Sequence, residues 1–126
     1  MVPPRRSVAD WLLLAIAVEK TVQHTFITWA FAANRFDLRT QVLPPWEVLM
    51  VSGGVVAVLF AVAAVGLWRW RAWAPTLLVA LALFDIGGEF VAQGTVIIEI
   101  VVSFIVAVIL LPLAWRARPR YEGYGR

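Results

Sequence analysis

The chain has no cysteine and only one histidine among its 126 residues. Without thiols it can form no disulfide, thiolate metal site or iron–sulfur cluster, and it has no cysteine nucleophile. A single histidine, His24, also excludes a bis-histidine haem and the di-iron bundle, which needs a Glu-x-x-His motif on two helices. A metal site that combines carboxylates with His24 stays open, but no spacing specifies one. We therefore expect neither a cofactor nor a metal.

Charge is scarce as well, since only 15% of the residues are charged and 62% are hydrophobic. Soluble domains are roughly a quarter charged and half apolar, so this composition predicts an integral membrane protein. The formal charge of +3 comes from arginines at the ends of apolar runs. It forms no basic face that could follow a phosphate backbone, and we expect no nucleic-acid partner.

Four apolar runs divide the chain, and each approaches the roughly 20 residues that cross about 30 Å of hydrocarbon. The predicted fold is all-α: a single domain, residues 1–126, in which four transmembrane helices form a bundle. Gly53, Ala57 and Ala61, at steps of four, predict close helix packing in lipid. The predicted helices are 11–33, 46–67, 75–93 and 96–115, followed by a loosely ordered basic tail over 116–126.

The arginines predict the orientation of these spans in a plasma (inner) membrane. With four spans, both termini share a side with the loop between the second and third helices. The opposite side holds only Arg35 and Arg39, so the positive-inside rule places both termini in the cytoplasm. The arginines on the predicted cytoplasmic side are Arg5, Arg6, Arg69, Arg71, Arg116, Arg118, Arg120 and Arg126.

Polar residues interrupt the middle of the first apolar run, where water is scarcest and such groups are expensive. At about 100° per residue, the stretch from Glu19 to His24 places Glu19, Lys20, Gln23 and His24 on one half of the helix. That half should face the bundle, because lipid cannot satisfy it. The histidine is the group most able to titrate near neutrality.

The third and fourth helices carry matching polar residues. If their turn is centred on Gly94, Asp85 lies level with Ser103, and Glu89 lies level with Glu99. Lys20 and His24 should lie near the depth of Asp85. We therefore predict a polar cavity between the first, third and fourth helices, with the second helix as packing support.

Carboxylates outnumber cations in this predicted cavity, so some must be protonated or a cation must complete the balance. An ion pair of Lys20 with Asp85 or Glu19 that only holds helices together explains the lysine equally well. The candidate catalytic residues are His24, Asp85 and Glu89. The candidate ligand- or proton-binding residues are Glu19, Lys20, Gln23, His24, Asp85, Glu89, Gln93 and Glu99.

Three functions are compatible with these residues. The first is binding or translocation of a proton, a cation or a small lipophilic ligand. The second is a non-catalytic subunit of a larger membrane complex. The expected partners are the lipid bilayer and either further copies of the chain or the subunits of such a complex. The third is an enzyme, such as an isomerase, hydrolase or cyclase, that acts on a lipid-soluble substrate by acid/base chemistry.

Two fold-level likenesses accompany these hypotheses. Four short spans with an acid in the first are similar to small multidrug transporters, although the residues around Glu19 do not match the first-helix motif of that family. Lys20, together with Glu47, Gly53-Gly54 and the ending Gly66-Leu-Trp-Arg, is similar to DoxX-like four-helix proteins. Neither likeness assigns the chain to a family.

Overall fold

A computed structural model of the chain describes residues 4–40, 42, 45–92 and 98–124, with the side chains of all of these except 89–92 and 98–101. The described part is all-helical, as predicted. A 3₁₀ segment, Arg35–Thr40, lies between the first two long helices. The four α-helices are α1 (Val8–Ala32), α2 (Trp46–Trp68), α3 (Trp73–Ala92) and α4 (Ile98–Tyr124).

The helices form an antiparallel bundle in which α1 packs on α2, α2 on α3, α3 on α4, and α4 on α1. Arg6, just before α1, donates to the carbonyl of Trp68 at the end of α2. Arg120, near the end of α4, pairs with Asp10 in the first turn of α1. The start of α1, the end of α4 and the α2–α3 turn therefore lie at one end of the bundle, called here the terminal end. The opposite end, where α1 and α3 finish, is called the loop end.

Capping interactions determine where α1 begins and where α2 ends. Ser7 is the N-cap of α1 in a capping box, in which its Oγ accepts from the Asp10 N–H and its N–H donates to the Asp10 carboxylate. At the end of α2, Trp70 N–H bonds to Leu67 O and Arg71 N–H to Gly66 O, the Schellman arrangement. Trp70 has φ +56°, a conformation that usually selects glycine, so a tryptophan here indicates compensating contacts.

The apolar core fills the terminal half of the bundle. Its α1 members precede Lys20, its α3 members precede Asp85, and its α4 members follow Ser103. Polar side chains therefore border the core only on its loop side and at its terminal end. The core residues are Leu13, Ile16, Ala17, Val56, Phe60, Ala63, Leu67, Trp70, Ala74, Leu78, Leu81, Ala82, Leu110, Ala114, Ala117 and Tyr121.

Within the described residues, two helical segments are long and apolar enough to cross a membrane, Trp46–Trp68 and Val102–Tyr124. Only 28% of the most apolar window of each is buried inside the bundle. Polar residues in the middle of α1 lower its mean hydropathy, although its length is sufficient. On α2 the exposed apolar side chains form one continuous stripe, Val48, Val51, Val55, Val58, Val62 and Val65.

The prediction of a loosely ordered tail after residue 115 is wrong for residues 116–124, which continue α4. Pro112 and Pro119 both lie inside this helix, where each removes one backbone donor. Tyr121 is fully buried, and its ring stacks on Trp70 with centroids 4.7 Å apart. Burial of this aromatic ring stabilises the last helical turns despite Pro119.

Candidate functional site

The ammonium of Lys20 lies at the centre of the bundle and contacts oxygen atoms of two other helices. Its side chain, from the middle of α1, is 0% exposed. Nζ lies 3.0 Å from Asp85 Oδ2 on α3, and it donates to Ser103 O at 3.0 Å and Ser103 Oγ at 2.7 Å on α4. The ammonium therefore makes two hydrogen bonds to Ser103 and an ion pair with Asp85, and this one side chain joins three helices.

Asp85 lies between two basic side chains from the same face of α1. Besides Lys20, its carboxylate contacts His24, with Nε2 2.9 Å from Oδ1. Lys20 and His24 are one helical turn apart, which places both against a single residue of α3. Neither His24 Nε2 nor Asp85 Oδ2 has an aligned hydrogen bond among the described residues. Both atoms therefore keep capacity for a further proton or donor.

One more side chain, Gln23, completes what we call the central cluster: Lys20, Gln23, His24, Asp85 and Ser103. Gln23 Nε2 donates to Ser103 Oγ at 2.6 Å. The His24 ring stacks on Phe60 of α2, with centroids 5.6 Å apart and planes 12° apart. The histidine side chain is 15% exposed, so it is the more accessible partner of Asp85.

The cluster is closed on one side by the apolar core. Between Lys20 and Asp10, near the terminal end, α1 rises about 15 Å, and the inward residues over this length are apolar, including Leu13, Ile16 and Ala17. No polar side chain of the core bridges that distance among the described residues. The described core therefore offers no polar route between the terminal end and the central cluster.

The predicted site residues divide into three groups. Lys20, Gln23, His24 and Asp85 come together, and the predicted common depth of Lys20, Asp85 and Ser103 is confirmed by the contacts of Lys20. Glu19 was predicted to face the bundle, but it is exposed on the outer face of α1. Gln93 and the side chains of Glu89 and Glu99 lie outside the described residues.

The described cluster does not show the predicted excess of carboxylates over cations. Of the four predicted carboxylates, Asp85 alone is shown in the cluster, and Lys20 already balances it. Phe60 had no sequence signal, because an aromatic residue in an apolar run predicts only packing. Ser103 could have been included among the predicted site residues, because the sequence already predicted that it lies at the same depth as Asp85.

The arrangement limits the chemistry that the cluster can perform. Ser103 Oγ lies 2.7 Å from Lys20 Nζ, as in a serine–lysine nucleophile pair. However, Lys20 is paired with Asp85 as an ammonium, and an ammonium has no free lone pair with which to remove the serine proton. The described residues also contain no group of three or more metal-ligating side chains.

A second polar cluster, which the sequence analysis missed, closes the terminal end. Asp10 is 1% exposed, and its Oδ2 accepts from Arg120 at 2.6 Å. Arg6 donates to the Leu67 and Trp68 carbonyls. We call Arg6, Asp10, Trp70, Arg120 and Tyr121 the terminal cluster. Both arginines also stack over the Trp70 ring, at 4.8 Å for Arg6 and 5.6 Å for Arg120.

Two shallow apolar grooves lie on the outer surface, away from the central cluster. One runs between α3 and α4 and includes Leu83, Leu111 and Trp115. The other runs between α2 and α3 and includes Leu59 and Phe84. Their lining suits acyl chains, but neither groove touches Lys20, His24 or Asp85.

Comparison of the chain with known protein families, curated proteins and solved structures finds no match. The functional argument therefore rests on the geometry.

Proposed function

We propose that this protein is a four-span integral protein of the plasma (inner) membrane that binds a proton at its central cluster, with both termini in the cytoplasm. The observation that supports this most directly is the contact of His24 Nε2 with Asp85 Oδ1 at 2.9 Å, beside a buried lysine. Histidine is the side chain whose ordinary charge change lies nearest physiological pH.

The membrane location is supported by how α1 arranges its side chains. Lys20, Gln23 and His24 face the bundle, while Val18, Val22 and Phe26 are exposed. Its outer surface is thus more apolar than its composition suggests. Tryptophan and arginine side chains gather at the terminal end, as favoured at a membrane–water interface, and the arginine asymmetry favours the cytoplasmic side for that end.

A proton fits the cluster better than a metal cation does. The Lys20 ammonium already occupies the cation position beside Asp85, and the described residues offer a metal ion no group of three or more ligating side chains. A proton needs no coordination shell, and the unaligned His24 Nε2 and Asp85 Oδ2 provide atoms that can hold or exchange it. Passage of a proton from the central cluster to the terminal end would require the apolar core to rearrange. We therefore propose that the described state exchanges protons with the loop end only.

The single histidine makes the proton-binding test direct. In protein reconstituted into vesicles, NMR of the His24 ring should show a titration that Asp85→Asn changes and that Glu19→Gln, on the outer face, leaves in place. Diethyl pyrocarbonate should modify His24 when added on the side of the loop end. Identical titrations in the parent and in Asp85→Asn would exclude the coupled site.

The absence of cysteine allows a clean test of topology. A cysteine introduced at Arg5, at the terminal end, should react with a membrane-impermeant maleimide only after cells are permeabilised. One introduced at Thr40, in the exposed 3₁₀ segment, should react in intact cells. The reverse pattern would overturn the proposed orientation. Reaction of both in intact cells would contradict the proposal that one span, α1, separates the two positions.

A second candidate function is a non-catalytic subunit of a larger membrane assembly. One observation favours it, namely the exposed Glu19 on an otherwise apolar outer face. Purification in a mild detergent tests it: a stable lone chain or homodimer without co-purifying subunits would count against this function.

A further inference from the structure

The outer face of α1 has the length of a membrane crossing and carries one charge. It extends from Trp11 to Trp29, both exposed, about 27 Å along the helix. Glu19 lies about 12 Å from Trp11, close to the middle. The other exposed side chains between the two tryptophans are Leu12, Ala15, Val18, Val22, Thr25 and Phe26.

Glu19 makes no hydrogen bond or ion pair with the described part of the chain. The one other polar group on this face is satisfied, because Thr25 Oγ1 donates to Thr21 O at 2.7 Å. A carboxylate at mid-depth against lipid is unfavourable unless a partner satisfies it. Its side chain is also too short to reach the interface from the middle of the helix.

We propose that this face of α1 is a docking surface for a transmembrane helix of another polypeptide that carries a lysine or arginine at mid-depth. Charge complementarity selects this occupant. A second copy of the chain would oppose Glu19 with Glu19, and its own mid-depth cation, Lys20, is buried and paired with Asp85. The proposal rests on the proposed membrane location and is independent of proton binding at the central cluster.

The valine stripe of α2 serves as an internal comparison. Val51, Val55 and Val58 are exposed and carry no polar group, so lipid alone satisfies them. Of these two surfaces, the valine stripe of α2 and the outer face of α1, only the face of α1 gains from a polar partner. Interhelical polar contacts contribute about 1–2 kcal/mol in model peptides, which corresponds to roughly a tenfold preference.

The test uses designed peptides as the partner. The labelled full-length protein is co-reconstituted in phosphatidylcholine vesicles with single-span leucine–alanine peptides that carry lysine, leucine or glutamate at the centre, and association is measured by energy transfer. The lysine peptide should bind roughly tenfold better than the leucine peptide. Glu19→Leu should abolish this preference, while Val18→Leu, on the same face, should retain it.

Several results would overturn the inference. Equal binding of the three peptides, or a lysine preference that survives Glu19→Leu, would show that Glu19 does not select the partner. Self-association that is lost in Glu19→Leu and resists competition by the lysine peptide would make a second copy the occupant. Resistance to carbonate extraction is measured in parallel, so that failure of the protein to insert is distinguished from failure of this inference.

Discussion

The Lys20 ammonium lies 3.0 Å from the Asp85 carboxylate, with side chains 0% and 7% exposed. This pair joins the middle of α1 to α3, and Ser103 extends the connection to α4. Buried ions are tolerated when paired, but removal of one partner leaves the other uncompensated. Removal of either partner should therefore destabilise the bundle, and this effect can be separated by mutation from the proposed proton binding.

Lys20→Met should lower the free energy of unfolding by about 3–5 kcal/mol, because it leaves Asp85 buried without its ammonium. The double variant Lys20→Met/Asp85→Leu should recover much of this loss, since both charges are then absent. Denaturant titration in detergent, followed by circular dichroism, measures both values. Simple addition of the two single effects would show that the pair is not coupled.

Gly66→Ala should destabilise the α2–α3 connection by about 1–3 kcal/mol. A Cβ at Gly66 would lie 2.7 Å from the Trp73 ring and 2.9 Å from Ala74 Cβ, and neither atom belongs to a flexible chain end. Gly87→Ala is the matched control, because no described atom lies within 4 Å of its added Cβ. Thermal unfolding of both variants makes the comparison, and equal midpoints would contradict the close approach of α2 and α3.

Asp10→Asn should lower the free energy of unfolding by about 1–2 kcal/mol, discounted because Arg120 is partly exposed. The substitution removes the charge from a buried carboxylate that accepts from Arg120 and Ser7. Glu122→Gln is the control, since its pair with Arg118 is half-exposed and 3.6 Å long and should be worth less than about 0.5 kcal/mol. Equal effects in denaturant titration would argue against the terminal cluster.

Tyr121→Ala should destabilise the bundle by about 3–5 kcal/mol through loss of a buried aromatic ring. It also removes the stack that supports Trp70 in its left-handed conformation. Tyr121→Phe keeps the ring and should retain most of the stability. Limited proteolysis of the C-terminal segment provides a second measurement, and equal cleavage in the parent and in Tyr121→Ala would contradict an ordered end of α4.

Helix existence was predictable because long apolar runs and their boundaries depend on local composition. The level of Lys20, Asp85 and Ser103 was also predictable, since antiparallel neighbours with a short turn have a fixed register. The placement of Glu19 was not predictable in this way. Adjacent helical residues differ by 100°, and packing decided that Lys20 faces the bundle while Glu19 does not.

The end of α4 is a second example in which local sequence preference did not predict the structure. Pro119 and a run of arginines indicate a disordered tail when only local preference is considered. Contacts with distant residues, Trp70 in the α2–α3 turn and Asp10 at the start of α1, outweigh that preference. Such contacts join parts of the chain separated by more than 50 residues, and no local pattern encodes them.

Composition and periodicity were sufficient to predict an all-helical fold, most of the helix boundaries, the common level of Lys20, Asp85 and Ser103 and the exclusion of cysteine chemistry. The packing of the helices in the tertiary structure determined which polar groups meet. It paired Asp85 with both Lys20 and His24, left Glu19 on the outer face and closed the terminal end around Trp70. Rotation of each helix about its axis depends on how all four pack together, and that information is distributed over the whole chain.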